Sequence, residues 1–204
     1  MIRAFWCWLF LVGALLGVAG VIGAAEEHPL VVWSGGPTPP LALKDLDGRP
    51  HELTDYRGKV VVVNFWATWC QPCREELPSL ERLRDALRGR PFEVLAVNVN
   101  EGESRVNRFL AEVPLRFPVL LDRNGDAQRA WRVRGLPATF LLDPEVLIRY
   151  WYLGELDWAR AEIVVTIESL LASAERSAPR SEAPARNGRG NIGHPPGGKP
   201  LSKN

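Results

Sequence analysis

The sequence predicts an α/β protein with a mixed central sheet flanked by helices and a β-hairpin extension at its N-terminal side. Two apolar, β-branched runs at 59–67 and 92–100 are typical of strands covered on both faces. A stretch with helical spacing follows each run, which predicts parallel strands joined by helical crossovers. The last two apolar runs, 138–143 and 147–154, are too close together for a crossover. Their strands must therefore be antiparallel, so the sheet is mixed.

Each element has a local signal along the chain. The hairpin is predicted over 41–53, with Asp47 and Gly48 in its turn. The first long helix is predicted after residue 70, because its leucines recur at helical spacing and Gly89 can end it. The remaining predictions are a helix at 103–113, a strand at 117–122, a short helix at 126–133, the strands at 138–143 and 147–154, and a last helix over 157–174 with Asp157 as its N-cap.

The two ends differ in character from the middle. Residues 4–25 contain no charged side chain, and roughly 20 apolar residues can span a bilayer as a helix. We therefore predict a transmembrane anchor or a cleaved signal peptide at 1–25, a linker at 26–39, a folded domain at 40–173 and a disordered basic tail at 174–204. Arg3 before the apolar run and the two glutamates after it place the domain outside the cytoplasm. Disulfides can form there.

Overall charge excludes one class of partner. The 204 residues carry a formal net charge of +1, so no strong field draws the chain to nucleic acid. The hydrophobic fraction of 46% suits one globular domain with appendages.

The most informative motif is Cys70–Gln71–Pro72–Cys73, in the stretch NFWATWCQPCREE. Cys70 falls where the predicted strand ends and the helix begins. Unpaired N–H groups at a helix start stabilise a thiolate, and a thiolate is the form that attacks disulfides. The three-residue spacing puts Cys73 within bonding reach of Cys70. We predict a redox disulfide in which Cys70 is the nucleophile and Cys73 resolves the mixed disulfide.

Two other uses of such a cysteine pair are a structural zinc site and a permanently closed disulfide. Structural zinc takes four ligands, usually two such pairs, and there is no second cysteine pair beyond residue 25. No metal site is predicted. A permanently closed structural disulfide would join a very short loop, where the gain in stability is least.

The chain resembles the thioredoxin superfamily, and within it the membrane-anchored TlpA/ResA-type thiol–disulfide oxidoreductases. The segments that carry the resemblance are VVVVNFWATWCQPCREELPSL, VLAVNVNE, FPVLLD and VRGLPATFLLD. The resemblance implies a thioredoxin-like fold and a cis-proline loop at Leu136–Pro137 that faces the cysteines. It makes Trp69, Leu136 and Pro137 candidate substrate-binding residues. Pro137 also counts among the predicted catalytic residues.

A proton-transfer role is implied for Glu76, which lies one helical turn after Cys73. A partly desolvated carboxyl there can titrate near neutral pH and pass protons to Cys73. Glu75 could equally fill this role. The structural alternative is that the carboxylate has no proton-transfer role and is present because the helix dipole favours negative charge at a helix start. Asn64 stands where ordinary thioredoxins carry a buried aspartate, which moves the proton role toward Glu76.

The function implied is reduction of disulfides in exported proteins in the periplasm, for example during cytochrome c biogenesis. The domain would be held at the cell inner membrane by a single-pass helix, or secreted to the periplasm if the signal is cleaved. The implied reductant is a membrane thiol carrier, and no dissociable cofactor is needed. A disulfide-donating oxidase and a thioredoxin-fold docking module without turnover remain alternatives. A peroxiredoxin is disfavoured, because the second cysteine follows the first at once.

One departure from the family concerns the turn between the last two strands. Val146 lies where the family usually has glycine, and valine disfavours a positive φ. We therefore expect this turn to differ and Val146 and Leu147 to form a small exposed apolar spot.

Overall fold

A computed structural model describes residues 29–177, with side chains as far as 173. The predicted segment 1–25 and all but the first four residues of the predicted tail lie outside the described residues. Within 29–177, no helix has the length and apolar character needed to cross a bilayer.

The core of the molecule is a mixed sheet, as predicted. It has six strands, one more than the sequence indicated: β1 Val31–Val32, β4 Val60–Trp66, β5 Phe92–Val99, β6 Val119–Asp122, β7 Ala138–Leu142 and β8 Ile148–Leu153. Along the sheet the strand order is β1-β8-β7-β4-β5-β6. β4 pairs in parallel with β5 and antiparallel with β7, and β7 pairs antiparallel with β8.

Helices and a separate hairpin complete the domain. The hairpin strands β2 and β3 form their own two-stranded sheet, and Gly48 in the turn has a φ of +79°, a conformation that glycine tolerates best. The bounds are β2 Ala42–Lys44, β3 Pro50–Glu52, α1 Gln71–Ala86, α2 Glu103–Glu112, α3 Asp126–Ala130 and α4 Ala161–Ser177.

The centre of the sheet positions the site. Every residue of β4 is buried, as its apolar composition predicted. In the ladder with β7, Asn64 lies opposite Thr139 and Phe65 opposite Ala138. Because side chains alternate along a strand, the polar pair and the apolar pair face opposite sides of the sheet. The same register sets the end of β4 beside the start of β7.

The segment predicted as a linker contacts the domain over much of its length. Val31 and Val32 pair with β8 as an edge strand. The Thr38 hydroxyl accepts a hydrogen bond from the backbone N–H of Ile148 at 2.9 Å. The turn-rich sequence showed no periodicity because this segment is held by isolated contacts rather than by one continuous face.

Two local predictions differ from the structure. Asp157 is not the N-cap of α4, which begins at Ala161; its side chain accepts from the backbone N–H of Ala159 and stabilises the preceding turn. Val146 adopts the positive φ expected of glycine, +58°, so the turn does not differ in this respect. The Asp143 carboxylate holds this turn by accepting from the backbone N–H groups of Glu145 and Leu147. Val146 is buried, and only Leu147 of the expected apolar spot is exposed.

Candidate active site

Cys70 and Cys73 lie at the start of α1 and form a disulfide with a Cα–Cα distance of 5.3 Å. Cys70 is the N-cap residue, and its sulfur accepts from the backbone N–H of Cys73 at 3.3 Å. Pro72 occupies the first turn, where no intrahelical N–H bond is lost. When the bond opens, the free N–H groups of this turn favour negative charge on a sulfur at this position.

The two sulfurs differ in accessibility. Cys73 is fully buried, whereas Cys70 keeps 5% of its surface exposed. Trp69 beside it is 62% exposed, a high value for the largest side chain. A partner can therefore approach across Trp69 and reach the sulfur of Cys70 before that of Cys73, which fits the order of attack predicted from the sequence.

Leu136 and Pro137 lie next to this edge of the sheet, just before β7. The peptide bond between them is cis, as the resemblance implied. Within 29–177, the N–H and C=O groups of Leu136 have no hydrogen-bond partner, whereas the C=O of Pro137 accepts from Gly154 at 2.8 Å. Leu136 is half-buried and Pro137 buried. The backbone of Leu136 thus presents one donor and one acceptor to an extended segment.

Glu76 lies one turn after Cys73 on α1 and is 1% exposed. Oε1 accepts from Asn64 Nδ2 at 2.6 Å, and Oε2 accepts from Trp158 Nε1 at 3.1 Å and from the backbone N–H of Leu156 at 3.2 Å. All three donors are neutral. Burial raises the pKa of Glu76 to about 7, against the lowering effect of these hydrogen bonds. Glu75, the alternative, is exposed and accepts from Gln71.

Asn64 on β4 links Glu76 to the adjacent strand, β7. Its Nδ2 donates both to Glu76 and to the hydroxyl of Thr139 at 2.8 Å, while its Oδ1, fully buried, has no partner. A 180° rotation of the amide would place an acceptor where Nδ2 now lies. The carboxylate form of Glu76 requires a donor at this point, and the carboxylic acid form requires an acceptor. The Asn64 amide can therefore bind either form of Glu76, because it carries a donor at one end and an acceptor at the other.

Glu101, a second buried carboxylate that sequence reasoning missed, holds the segment before Cys70. It accepts from the backbone N–H and the hydroxyl of Thr68, at 2.7 and 2.6 Å, and from Asn98 Nδ2 at 2.9 Å. Arg105 Nε lies 2.9 Å from Oε1, the oxygen that also accepts from the Thr68 hydroxyl. Thr68 is two residues before Cys70, so these bonds fix the loop that leads into Cys70.

A signal for Glu101 was present in the sequence. Asn98 and Glu101 stand at the carboxyl end of β5, which runs parallel to β4. Because the carboxyl ends of adjacent parallel strands meet at one edge of a sheet, polar residues there are expected beside the end of β4. No metal site accompanies them: the described residues contain no group of three metal-ligating side chains.

The fold and the cysteine pair at the helix start define a protein of the thioredoxin class. Comparison with known families is more specific: residues 34–151 match the model of the AhpC/TSA family. The chain belongs to this family of the thioredoxin superfamily.

Several curated relatives are thiol-disulfide oxidoreductases named ResA. The chain is 45% identical over 109 residues to the thiol-disulfide oxidoreductase ResA of Geobacillus thermodenitrificans, an alignment that covers 53% of this chain and 63% of the relative. It is 33% identical over 144 residues to ResA of a Bacillus cereus strain, covering 67% of this chain and 82% of the relative. The match thus spans less than two thirds of some relatives and more of others. The predicted resemblance to ResA-type proteins is confirmed.

Solved structures agree with this assignment. A Chlorobium tepidum protein described as a thiol:disulfide interchange protein DsbE is 30% identical and superposes with a TM-score of 0.59, over 71% of this chain and 99% of that one. The thioredoxin domain of a Bacteroides vulgatus thiol-disulfide oxidoreductase is 26% identical, with a TM-score of 0.58, over 69% and 99%. The predicted thioredoxin-like fold is confirmed.

Proposed function

We propose that this protein is an extracytoplasmic thiol–disulfide oxidoreductase that reduces disulfides in exported proteins. The observation that carries the proposal is the Cys70–Cys73 disulfide at the start of α1, with Cys70 at the accessible side. The names of the relatives, oxidoreductase and interchange protein, support the same chemistry.

The reaction is an exchange between two disulfides. The thiolate of Cys70 attacks one sulfur of a substrate disulfide, forms a mixed disulfide and releases the other substrate sulfur as a thiolate. The thiolate of Cys73 then attacks Cys70, which restores the disulfide and releases the second substrate sulfur. Two electrons pass to the substrate, whose two thiolates take up two protons. An external dithiol must reduce the disulfide again, and a membrane thiol carrier fits an anchored domain.

Cys73 has to lose a proton inside the fold before it can attack. It is fully buried, so water cannot easily accept that proton. Glu76, one turn away on the same helix, has a pKa of about 7 and can accept it near neutral pH. Rotation of the Asn64 amide then keeps the protonated carboxyl hydrogen-bonded. Glu76 is the proton shuttle in this proposal.

The direction and place of the reaction are further parts of the proposal. The apolar run at 4–25 supports export and either an inner-membrane anchor or a cleaved signal. Reduction, and substrates such as apocytochrome c before haem attachment, are proposed from the resemblance to ResA-type proteins. The domain would then act in the periplasm.

Trapping tests the chemistry. Cys73→Ser in the full chain leaves a nucleophile that cannot be resolved, so mixed disulfides with exported proteins accumulate and can be identified by mass spectrometry. Cys70→Ser is the matched control and should trap none. If Cys73→Ser captures no exported protein, turnover is excluded and a docking role gains support.

A reduction potential tests the direction. Equilibration of the full chain with glutathione buffers should give a value well below about −150 mV, on the reducing side of the known range. A potential near that of the strongest oxidants would indicate a disulfide donor instead.

The mature N-terminus tests the anchor: cleavage before Ala25 or Glu26 would show a secreted protein.

A further inference from the structure

A pocket lined by aromatic side chains opens beside the candidate active site, and the proposed mechanism does not use it. It encloses about 280 Å³. Trp131 and Phe140 form its buried floor, with ring centroids 5.1 Å apart in an edge-to-face arrangement. Trp33 packs edge-on against Phe140 at 5.8 Å and is partly exposed. Trp151 and Leu153 of β8 complete the wall, and Leu153 is 50% exposed.

Two of the three tryptophans that line this pocket have their indole N–H groups bound elsewhere. The indole N–H of Trp131 donates to the carbonyl of Pro40, and that of Trp33 donates to the carbonyl of Gly36. These two rings therefore present their apolar surfaces to the pocket. An occupant gains by burying an apolar or aromatic group and has few polar partners inside.

The rim of the pocket is positive. Arg132 and Arg134 line it and are exposed. Neither forms an ion pair or a side-chain hydrogen bond with any residue in 29–177, whereas the nearby Arg149 is paired with Asp143. Arg132 also closes α3 in the left-handed conformation, with a φ of +55°, where glycine is the usual residue. An acidic group would find both guanidinium groups free to bind it.

The position of the pocket ties it to the substrate. Leu153 lies opposite Ala138 in the ladder, and Ala138 follows the Leu136–Pro137 edge directly. An extended segment advances about 3.3 Å per residue, so one held on the backbone of Leu136 would reach the pocket within a few residues. Phe65 and Phe140 also put the pocket on the sheet face opposite Glu76, away from the proton-transfer site.

We propose that this pocket selects substrates: it binds an aromatic side chain, with an acidic residue beside it, a few residues from the disulfide that Cys70 attacks. The inference rests on the proposed function and adds a substrate class to it. The apolar floor recognises the ring, and the two arginines recognise the carboxylate.

Four cyclic disulfide peptides of equal length test the selection. They differ at two adjacent positions outside the ring of the disulfide, as Phe-Asp, Phe-Lys, Ala-Asp or Ala-Lys. The reduced full chain is mixed with each, and the rate of peptide reduction is divided by the rate with dithiothreitol, which removes intrinsic differences in reactivity. We expect Phe-Asp to react about tenfold faster than Ala-Lys, a difference of about 1.4 kcal/mol.

Variants separate the two parts of the site. Arg132→Gln with Arg134→Gln should remove the preference for Asp over Lys and leave that for Phe over Ala. Leu153→Asp places a negative charge in the wall of the pocket. Because Leu153 is an exposed side chain, the substitution should leave the core intact. It should weaken both the preference for Phe over Ala and the preference for Asp over Lys. Arg108→Gln, an exposed arginine on α2, is the matched control and should change neither.

A small aromatic disulfide, 5,5′-dithiobis(2-nitrobenzoic acid), distinguishes the two levels of the proposal. If it is reduced but the four peptides react equally, the pocket does not select substrates and the oxidoreductase proposal stands. If neither it nor any peptide is reduced, the oxidoreductase proposal itself is wrong. If the preference for Asp over Lys persists unchanged in Arg132→Gln with Arg134→Gln, the two arginines do not recognise the carboxylate and that part of the proposal is wrong.

Discussion

Glu76 and Glu101 are two buried carboxylates near the same cysteine pair, and their surroundings differ in one respect. Glu76 receives hydrogen bonds only from neutral groups, those of Asn64, Trp158 and Leu156. Glu101 receives neutral donors as well but also faces the guanidinium of Arg105 at 2.9 Å. Burial alone therefore does not decide what a carboxyl does. Glu76, which has only neutral donors, has a raised pKa, whereas Glu101 accepts from the backbone and hydroxyl of Thr68 and holds the loop before Cys70.

The largest effect is expected from removing the anchor. Glu101→Ala leaves the buried N–H of Thr68 and the amide of Asn98 without an acceptor, so we expect a loss of about 4 kcal/mol in the free energy of unfolding. Urea denaturation of the oxidised protein measures it. Glu103→Ala, two residues later at the start of α2 and with an exposed ion pair to Arg123, is the control and should cost less than about 1 kcal/mol. Equal losses would contradict a special role for Glu101.

The next effect is a pH dependence that belongs to Glu76. Its pKa is about 7 in the folded protein against an ordinary value of 4.5, so the unfolded chain releases this proton first as pH rises. The contribution of Glu76 to the free energy of unfolding is therefore fully present below pH 4.5 and is lost as pH rises through about 7. We expect Glu76→Gln to abolish about 3 kcal/mol of this decline.

Unfolding free energies of the oxidised protein at a series of pH values between 4 and 8.5 measure this decline. Glu75→Gln, the exposed neighbour, should keep the profile of the unaltered protein. Parallel profiles for Glu76→Gln and the unaltered protein would show that Glu76 ionises at its ordinary pH, and the proton shuttle would then lose its basis.

A third change makes one site resemble the other. Arg105→Gln leaves Glu101 buried with neutral donors only, which is the situation of Glu76. We expect a loss of about 2 kcal/mol in the free energy of unfolding, because the buried carboxylate loses its only cation among the described residues. Arg108→Gln on the same helix should cost less than about 0.5 kcal/mol. An equally small loss for Arg105→Gln would mean that the guanidinium does not stabilise the buried carboxylate.

The smallest effect concerns one donor to Glu76. Trp158→Phe removes the indole N–H that binds Oε2 and keeps most of the ring volume. Because the carboxylate form loses a hydrogen bond, we expect about 1 kcal/mol more destabilisation at pH 8 than at pH 4. In a protein that already carries Glu76→Gln, the destabilisation caused by Trp158→Phe should not depend on pH. A pH difference that survives in the double variant must come from another group.

Most of the fold could be predicted from the sequence. The continuous apolar run of β4 gave a strand that is buried on both faces, and the leucines of α1 gave a helix because their spacing reflects the burial of one face. The strand Val31–Val32 was missed, since two residues in a proline- and glycine-rich stretch carry no periodicity. Val146 was misjudged because Asp143, three residues earlier, stabilises a backbone conformation that valine alone disfavours.

The candidate site was predicted unevenly. Cys70, Cys73, Glu76, Leu136 and Pro137 are brought to one end of the sheet, with Trp69 exposed beside them, although their predicted roles still await the experiments above. Glu101 was not predicted, although it follows a strand that the sequence predicts to be parallel to β4; its contacts with Thr68 and Asn98 depend on how the ends of β4 and β5 are placed in the fold. The aromatic pocket was missed for the same reason, since Trp33, Trp131 and Trp151 come from three distant segments.

The sequence by itself determined the order of strands and helices and the place of the two cysteines at a strand–helix junction. These features depend on neighbours within one or two turns, so local spacing is sufficient to encode them. Only the tertiary structure decided which carboxyl can exchange a proton, because Glu76 is desolvated and hydrogen-bonded by Asn64 and Trp158, 12 and 82 residues away. Desolvation and hydrogen bonding depend on which atoms surround a group, and distant strands supply those atoms only when the chain has folded.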